Sequence, residues 1–177
     1  MSAAARARAA AALAVAALAA ATAGCSSPAG DAGDAPGGGR VAGVLRVVDG
    51  DTIVVALGGR SERVRYIGID TPESAKPGAP VQCFGERAAR ANERLVGHGR
   101  VRLVRDVQER DRYGRLLAYV YRAGDGLLVN ARLVRDGYAR PLTIPPDVRF
   151  ADRFRRLAAE ARRAGRGLWR ACGGRAQ

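Results

Sequence analysis

Histidine, lysine and cysteine are scarce in this chain. Its 177 residues include one histidine, His98, one lysine, Lys76, and three cysteines, Cys25, Cys83 and Cys172. No cluster of imidazoles and thiolates can be drawn from so few, which disfavours a zinc or copper centre. His98 lies between Gly97 and Gly99 behind a helical stretch and reads as a C-terminal helix cap, not as a catalytic group. A long apolar run is also missing. The nearest approach, Ala9 to Ala21, is too short to span a bilayer well. There is no internal repeat, and the length suits one domain of ordinary size with a packed core.

What is plentiful is arginine. The formal net charge is +13. A cationic surface attracts polyanions, nucleic acid first among them, although charge alone would equally suit a solvated face.

Residues 1–24 read as an export signal, with Arg6 and Arg8 before the apolar run. Two cleavage patterns compete. Ala21-Thr22-Ala23 fits ordinary signal cleavage, whereas Thr22-Ala23-Gly24-Cys25 resembles a bacterial lipobox with Thr22 where Leu is usual. In the second case Cys25 is lipidated and anchors the chain to the membrane; in the first the chain is secreted. Both place it outside the cytoplasm. Residues 25–40 have the Ser/Gly/Pro/Ala/Asp composition of a disordered tether, which favours the lipoprotein reading. With Cys25 lipidated, Cys83 and Cys172 remain as a pair that would be oxidised in such a compartment. The folded domain is then 41–172, followed by a tail at 173–177.

Beyond Val41 the pattern becomes regular. Val41 to Val48 and Thr52 to Leu57 read as strands joined by the hairpin signal Asp49-Gly50, and Arg63 to Ile69 follows as a third. The Pro-bearing stretch from Ser74 to Val81 reads as a loop. Phe84 to Val96 has helical spacing and ends at Gly97. Arg100 to Val107 and Leu116 to Tyr121 read as strands, and Leu128 to Asp136 as a short helix. A last helix, capped by Asp147, carries the apolar stripe Val148, Ala151, Phe154, Leu157, Ala158 and Ala161. Five strands with a helix between the third and fourth is the chain order of an OB-type barrel. The expected class is α+β, a five-stranded barrel with about three helices packed on it.

Four pieces of sequence bear chemistry: VVDGDT (47–52), VRYIGIDTPE (64–73), DRYGRLLAYV (111–120) and LVRDGYA (133–139). Taken in order and at this spacing, they resemble the staphylococcal nuclease-like (thermonuclease) family from roughly Val41 to Trp169. The resemblance implies that Asp51, Asp70 and the backbone carbonyl of Thr71 hold Ca²⁺, an all-oxygen set suited to a hard cation. It implies that Glu73 is the general base. Arg65 and Arg115 match the two arginines that grip the scissile phosphate, a task their planar forks suit. Arg112 and Tyr113 are expected along the phosphate path. The implied reaction is hydrolysis of DNA or RNA to 3′-phosphate ends. No dimerisation signal is visible in the sequence, so a monomer is expected. Where the family prototype carries a base-stacking tyrosine, this chain runs Arg140-Pro141-Leu142-Thr143, leaving Tyr138 as a substitute. The competing reading is a non-catalytic OB-fold surface lipoprotein that binds nucleic acid. An acid cluster beside the anion site argues against it, because such a cluster repels phosphate unless a cation is bound.

Overall fold

The computed structural model describes residues 38–74 and 81–173. The export signal, Cys25, most of the tether, the segment holding Lys76, Pro77 and Pro80, and residues 174–177 lie outside the described residues. Strand β1 (Arg40–Asp49) begins one residue inside the stretch read as tether. It pairs antiparallel with β2 (Thr52–Leu57), which pairs with β3 (Arg60–Tyr66). Asp49 faces Thr52, so Gly50 and Asp51 form the hairpin corner that the Asp-Gly signal predicts. Two irregularities in β1, between Val44 and Arg46 and between Val47 and Asp49, bend the strand as bulges do.

The third strand departs from expectation. It starts earlier, at Arg60, and stops at Tyr66. Gly68 then takes φ 79°, and the chain restarts as the two-residue strand β4 (Ile69–Asp70) in a separate pairing. Helix α1 (Gly85–Val96) leads to β5 (Arg100–Val104) and β6 (Leu116–Arg122). These close the barrel in the order β1-β2-β3-β6-β5, with β3 and β6 parallel. This is the OB-type α+β architecture. Helix α2 (Val129–Arg135), strand β7 (Arg140–Pro141), helix α3 (Ala151–Arg163) and the short α4 (Leu168–Ala171) complete the chain. The partner of β4 is β7, which sets Asp70 opposite Arg140.

The core fills the barrel with Ile53, Val55, Val64, Tyr66, Val101 and Tyr121 and continues under the helices with Leu133 and Phe154. Burying one such side chain contributes about 1.5–3 kcal/mol. Asn130 is one of the polar residues buried with this core. Its Oδ1 accepts the Val120 N–H at 2.9 Å and its Nδ2 donates to the Ile67 carbonyl at 2.9 Å. A single α2 side chain thereby ties β6 to the chain leaving β3.

Asp147 does not cap α3. The helix starts after Phe150 without a side-chain cap. Asp147 Oδ1 instead accepts the N–H groups of Val107 and Gln108, both at 2.9 Å, and so anchors the segment that follows β5. That segment is loop, which shortens the strand expected to reach Val107. Gly97, not His98, is the C-cap of α1, through its N–H on the Glu93 carbonyl. The expected disulfide joins Cys83 to Cys172 with Cα atoms 6.0 Å apart. No helix among the described residues is long and apolar enough to cross a membrane.

Candidate active site

The corner between β1 and β2 is the floor of the site. Asp51 is 4% exposed there. Its Oδ2 accepts the Thr71 N–H at 2.8 Å and the Thr71 hydroxyl at 3.1 Å, and its Oδ1 accepts the Thr52 hydroxyl at 3.2 Å. Gly50 makes the approach of Thr71 feasible: a Cβ at that position would lie 2.7 Å from Thr71 Oγ1 and 2.8 Å from Ala88 Cβ. Sequence proximity cannot bring Asp51 and Thr71 together. The turn after β3 does.

Arg65, on β3, points into this corner. Its Nη1 pairs with Asp51 Oδ2 and its Nη2 donates to Asp70 Oδ1 at 2.8 Å. One guanidinium therefore bridges the two carboxylates expected to share a cation. Burial raises the carboxyl of Asp70, and Arg65 only partly offsets it. Asp49 is pushed up to about 6, by burial first and by the neighbouring charge of Asp51 second. In sequence Asp49 reads as part of the hairpin signal; the folded hairpin shows it as a member of a crowded acid group. Asn92 of α1 braces that hairpin. Its Nδ2 donates to the Asp49 carbonyl at 3.0 Å and its Oδ1 accepts the Tyr66 hydroxyl at 2.9 Å.

The second arginine sits in a tight turn built by Asp111. Asp111 Oδ1 accepts the N–H groups of Tyr113 and Arg115 at 2.9 and 3.0 Å, and Oδ2 accepts Arg115 Nε at 2.7 Å. Gly114 has φ 77°, and a Cβ there would meet nothing within 4 Å. Its role in the fold is the left-handed turn. Tyr113 is 68% exposed. Arg112 lies over its ring at 4.8 Å and Arg115 at 5.4 Å, and Arg112 Nη2 also donates to its hydroxyl at 2.7 Å.

Arg65, Arg112, Tyr113 and Arg115 share a cavity of about 530 Å³, whose further walls include Leu117, Leu142 and Ile144. The two arginines predicted to act together thus face one space, with the acid corner behind Arg65. Glu73 follows three residues after Asp70, half-buried, where the chain turns toward α1. Tyr138 is not available to stack on a base from this cavity. Its half-buried ring does not line the cavity and packs on Phe84 at 5.6 Å.

No metal or ligand accompanies the chain, so fit rests on the donors. Among the described residues no group of three or more His, Cys, Asp or Glu side chains is arranged to hold a metal ion. Asp51 and Asp70 nevertheless converge on one cation, the guanidinium of Arg65. Asp49 lies close enough to raise the local negative potential. Such a set suits a hard, oxygen-seeking ion that keeps several waters.

A family model described as "Staphylococcal nuclease homologue" matches residues 63–171. Thermonuclease of Staphylococcus intermedius is 45% identical over 107 residues, 60% of this chain and 62% of that protein. Thermonuclease of Staphylococcus hyicus is 43% identical over the same length, with the same shares. Endonuclease YncB of Bacillus subtilis is 48% identical over 96 residues, 54% of this chain and 44% of that protein. The chain thus spans less than two thirds of the length of these relatives.

Proposed function

This chain belongs to the staphylococcal nuclease homologue family, and from that premise and the geometry of its site we propose that it is a Ca²⁺-dependent nuclease acting on DNA or RNA. The observation that carries the reading is that Arg65 pairs with both Asp51 and Asp70 and shares a cavity with Arg115, residues drawn from three separated stretches of chain. A binding module has no use for an acid cluster beside its phosphate-gripping arginines.

In this reading Asp51, Asp70 and the Thr71 carbonyl would hold Ca²⁺, which would supply positive charge beside the phosphate. Arg65 and Arg115 bind the remaining phosphoryl oxygens, orient the diester for in-line displacement and stabilise the charge that develops on it. Glu73 takes the proton of the attacking water. The 5′-oxygen leaves, giving 3′-phosphate ends. The apolar wall of Leu142 and Ile144 beside exposed Tyr113 suits the base of the bound nucleotide. The run Arg140-Pro141-Leu142-Thr143 has no tyrosine, so the apolar contact comes from Leu142 and Ile144. Arg112 and Tyr113 line the phosphate path. Residues 1–24 direct export, with Cys25 as a lipid anchor or the chain released, so the enzyme acts outside the cytoplasm; it acts as a monomer.

The test is incubation of the purified protein with DNA and with RNA, with Ca²⁺ and with chelator. Calcium-dependent degradation supports the reading. Salt-sensitive binding without cleavage would select the non-catalytic alternative.

A further inference from the structure

Just before α1 the chain forms a clasp around Glu73 that the chemistry above leaves unexplained. Gln82 bonds this residue twice. Its backbone N–H donates to the Glu73 carbonyl at 3.0 Å, and its side-chain Oε1 accepts the Glu73 N–H at 2.9 Å. The turn from Gln82 to Gly85 is closed by the Gly85 N–H on the Gln82 carbonyl at 2.9 Å. Its third residue, Phe84, has φ 76° and ψ −1°, the corner a type II turn normally gives to glycine. A phenylalanine persists in that strained conformation only where its surroundings hold it. Here its ring is stacked on Tyr138 and lies beneath Arg87, whose guanidinium carbon is 5.3 Å from the ring centre.

Gly85 is a second constraint. A Cβ there would lie 2.2 Å from the Glu73 carbonyl oxygen and 2.7 Å from its carbon. Only a residue without a side chain lets the Glu73 backbone rest on the start of the helix. Cys83, inside the same turn, is covalently bonded to Cys172 beyond α4. Side chain, turn, missing Cβ and disulfide all act on one short stretch of backbone.

We infer that Gln82 is a positioning residue for Glu73, setting where its carboxylate stands. The inference rests on the reading of Glu73 as general base. A general base acts only within hydrogen-bond reach of its proton, and a displacement of about 1 Å can cost roughly 100-fold in rate. Glu73 lies beyond the end of β4, so the barrel ladder does not fix it. Its two backbone hydrogen bonds to Gln82 do. Both groups can return to water at a half-buried site, so losing the side-chain bond disturbs geometry far more than folding.

The experiment compares the full chain carrying Gln82→Ala or Gln82→Met with wild type, and Gln82→Ala again in a Glu73→Gln background. DNA cleavage is measured with Ca²⁺, and folding is checked by thermal melting. Methionine keeps the length of glutamine and removes the acceptor. We expect kcat to fall about 10- to 100-fold in both single variants, with KM and the Ca²⁺ requirement within about twofold. In the Glu73→Gln background Gln82→Ala should cost nothing further, as expected of two residues acting as one unit. Wild-type kcat in both variants, a loss carried by KM, or an equal loss in the Glu73→Gln background would overturn the inference. A Glu73→Gln enzyme with wild-type kcat would overturn the base assignment and this inference together. An impaired Glu73→Gln beside unimpaired Gln82 variants would overturn this inference alone.

Discussion

At the scale of single residues, magnitudes decide which groups matter most. Enzymes acting on slow phosphoester hydrolyses lower the barrier by roughly 20 kcal/mol. A general base supplies about 3–5 kcal/mol of that. Glu73 therefore carries a minority of the proposed catalysis, and fixed positive charge must carry more. We expect Arg65→Ala and Arg115→Ala each to lower kcat/KM at least as far as Glu73→Gln. Steady-state cleavage assays check this ordering, and near wild-type rates in either arginine variant would defeat it. The two arginines are held differently. Arg65 is gripped by Asp51 and Asp70, whereas Arg115 is gripped by Asp111. In sequence, Asp111 shows only as the first letter of a turn. That its carboxylate orients Arg115 through Nε follows from the fold of residues 111–115.

Among the elements, the weakest ladder is the one closest to the chemistry. Strands β4 and β7 pair only two residues each, and Asp70 is one of them. Helix α4 has only four residues and holds on through Leu168, which is fully buried, and through the Cys83–Cys172 bond. The cysteines are 89 residues apart in sequence. Closing a loop of that size stabilises by about 4 kcal/mol in the chain-entropy model. The double variant Cys83→Ser/Cys172→Ser is therefore expected to lose about 2–4 kcal/mol in denaturant unfolding. An unchanged midpoint would show that the bridge does not constrain the unfolded chain. Helix α1, the hairpin at Asp49-Gly50 and helix α2 were legible to within a residue or two, because periodicity and glycine signals are local. The break after Tyr66 was not legible. Ile67 and Ile69 continue an apolar pattern that reads as strand, and only the separate pairing of β4 with β7 shows that the chain has left the barrel. Asp147 likewise has the residue type of a helix cap, yet its partners lie 40 and 39 positions upstream.

The whole molecule carries a formal charge of +13. Under the proposed function this charge steers a polyanion toward the cavity shared by Arg65 and Arg115. Two phosphate contacts released by salt weaken binding about 10-fold between 50 and 200 mM. We expect KM for a polynucleotide to rise by at least about that factor over this range, with kcat nearly unchanged. Cleavage assays at several salt concentrations and fixed Ca²⁺ check it. A flat KM would mean that the surface charge takes no part in substrate capture.

The amino-acid sequence by itself determined the alternation of strands and helices, the order of an OB-type barrel, and the residue types able to hold a hard cation and a phosphate; it left the pairing of Cys83 with Cys172 conditional on the fate of Cys25. Those properties reside in local periodicity, turn chemistry and side-chain identity. Tertiary structure decided what touches what. It set Arg65 between Asp51 and Asp70, made Asp49 part of the acid corner, put Tyr138 against Phe84 instead of in the cavity, and locked Glu73 to Gln82. Each of these depends on barrel closure and helix docking, which bring together chain segments too far apart for any local pattern to relate.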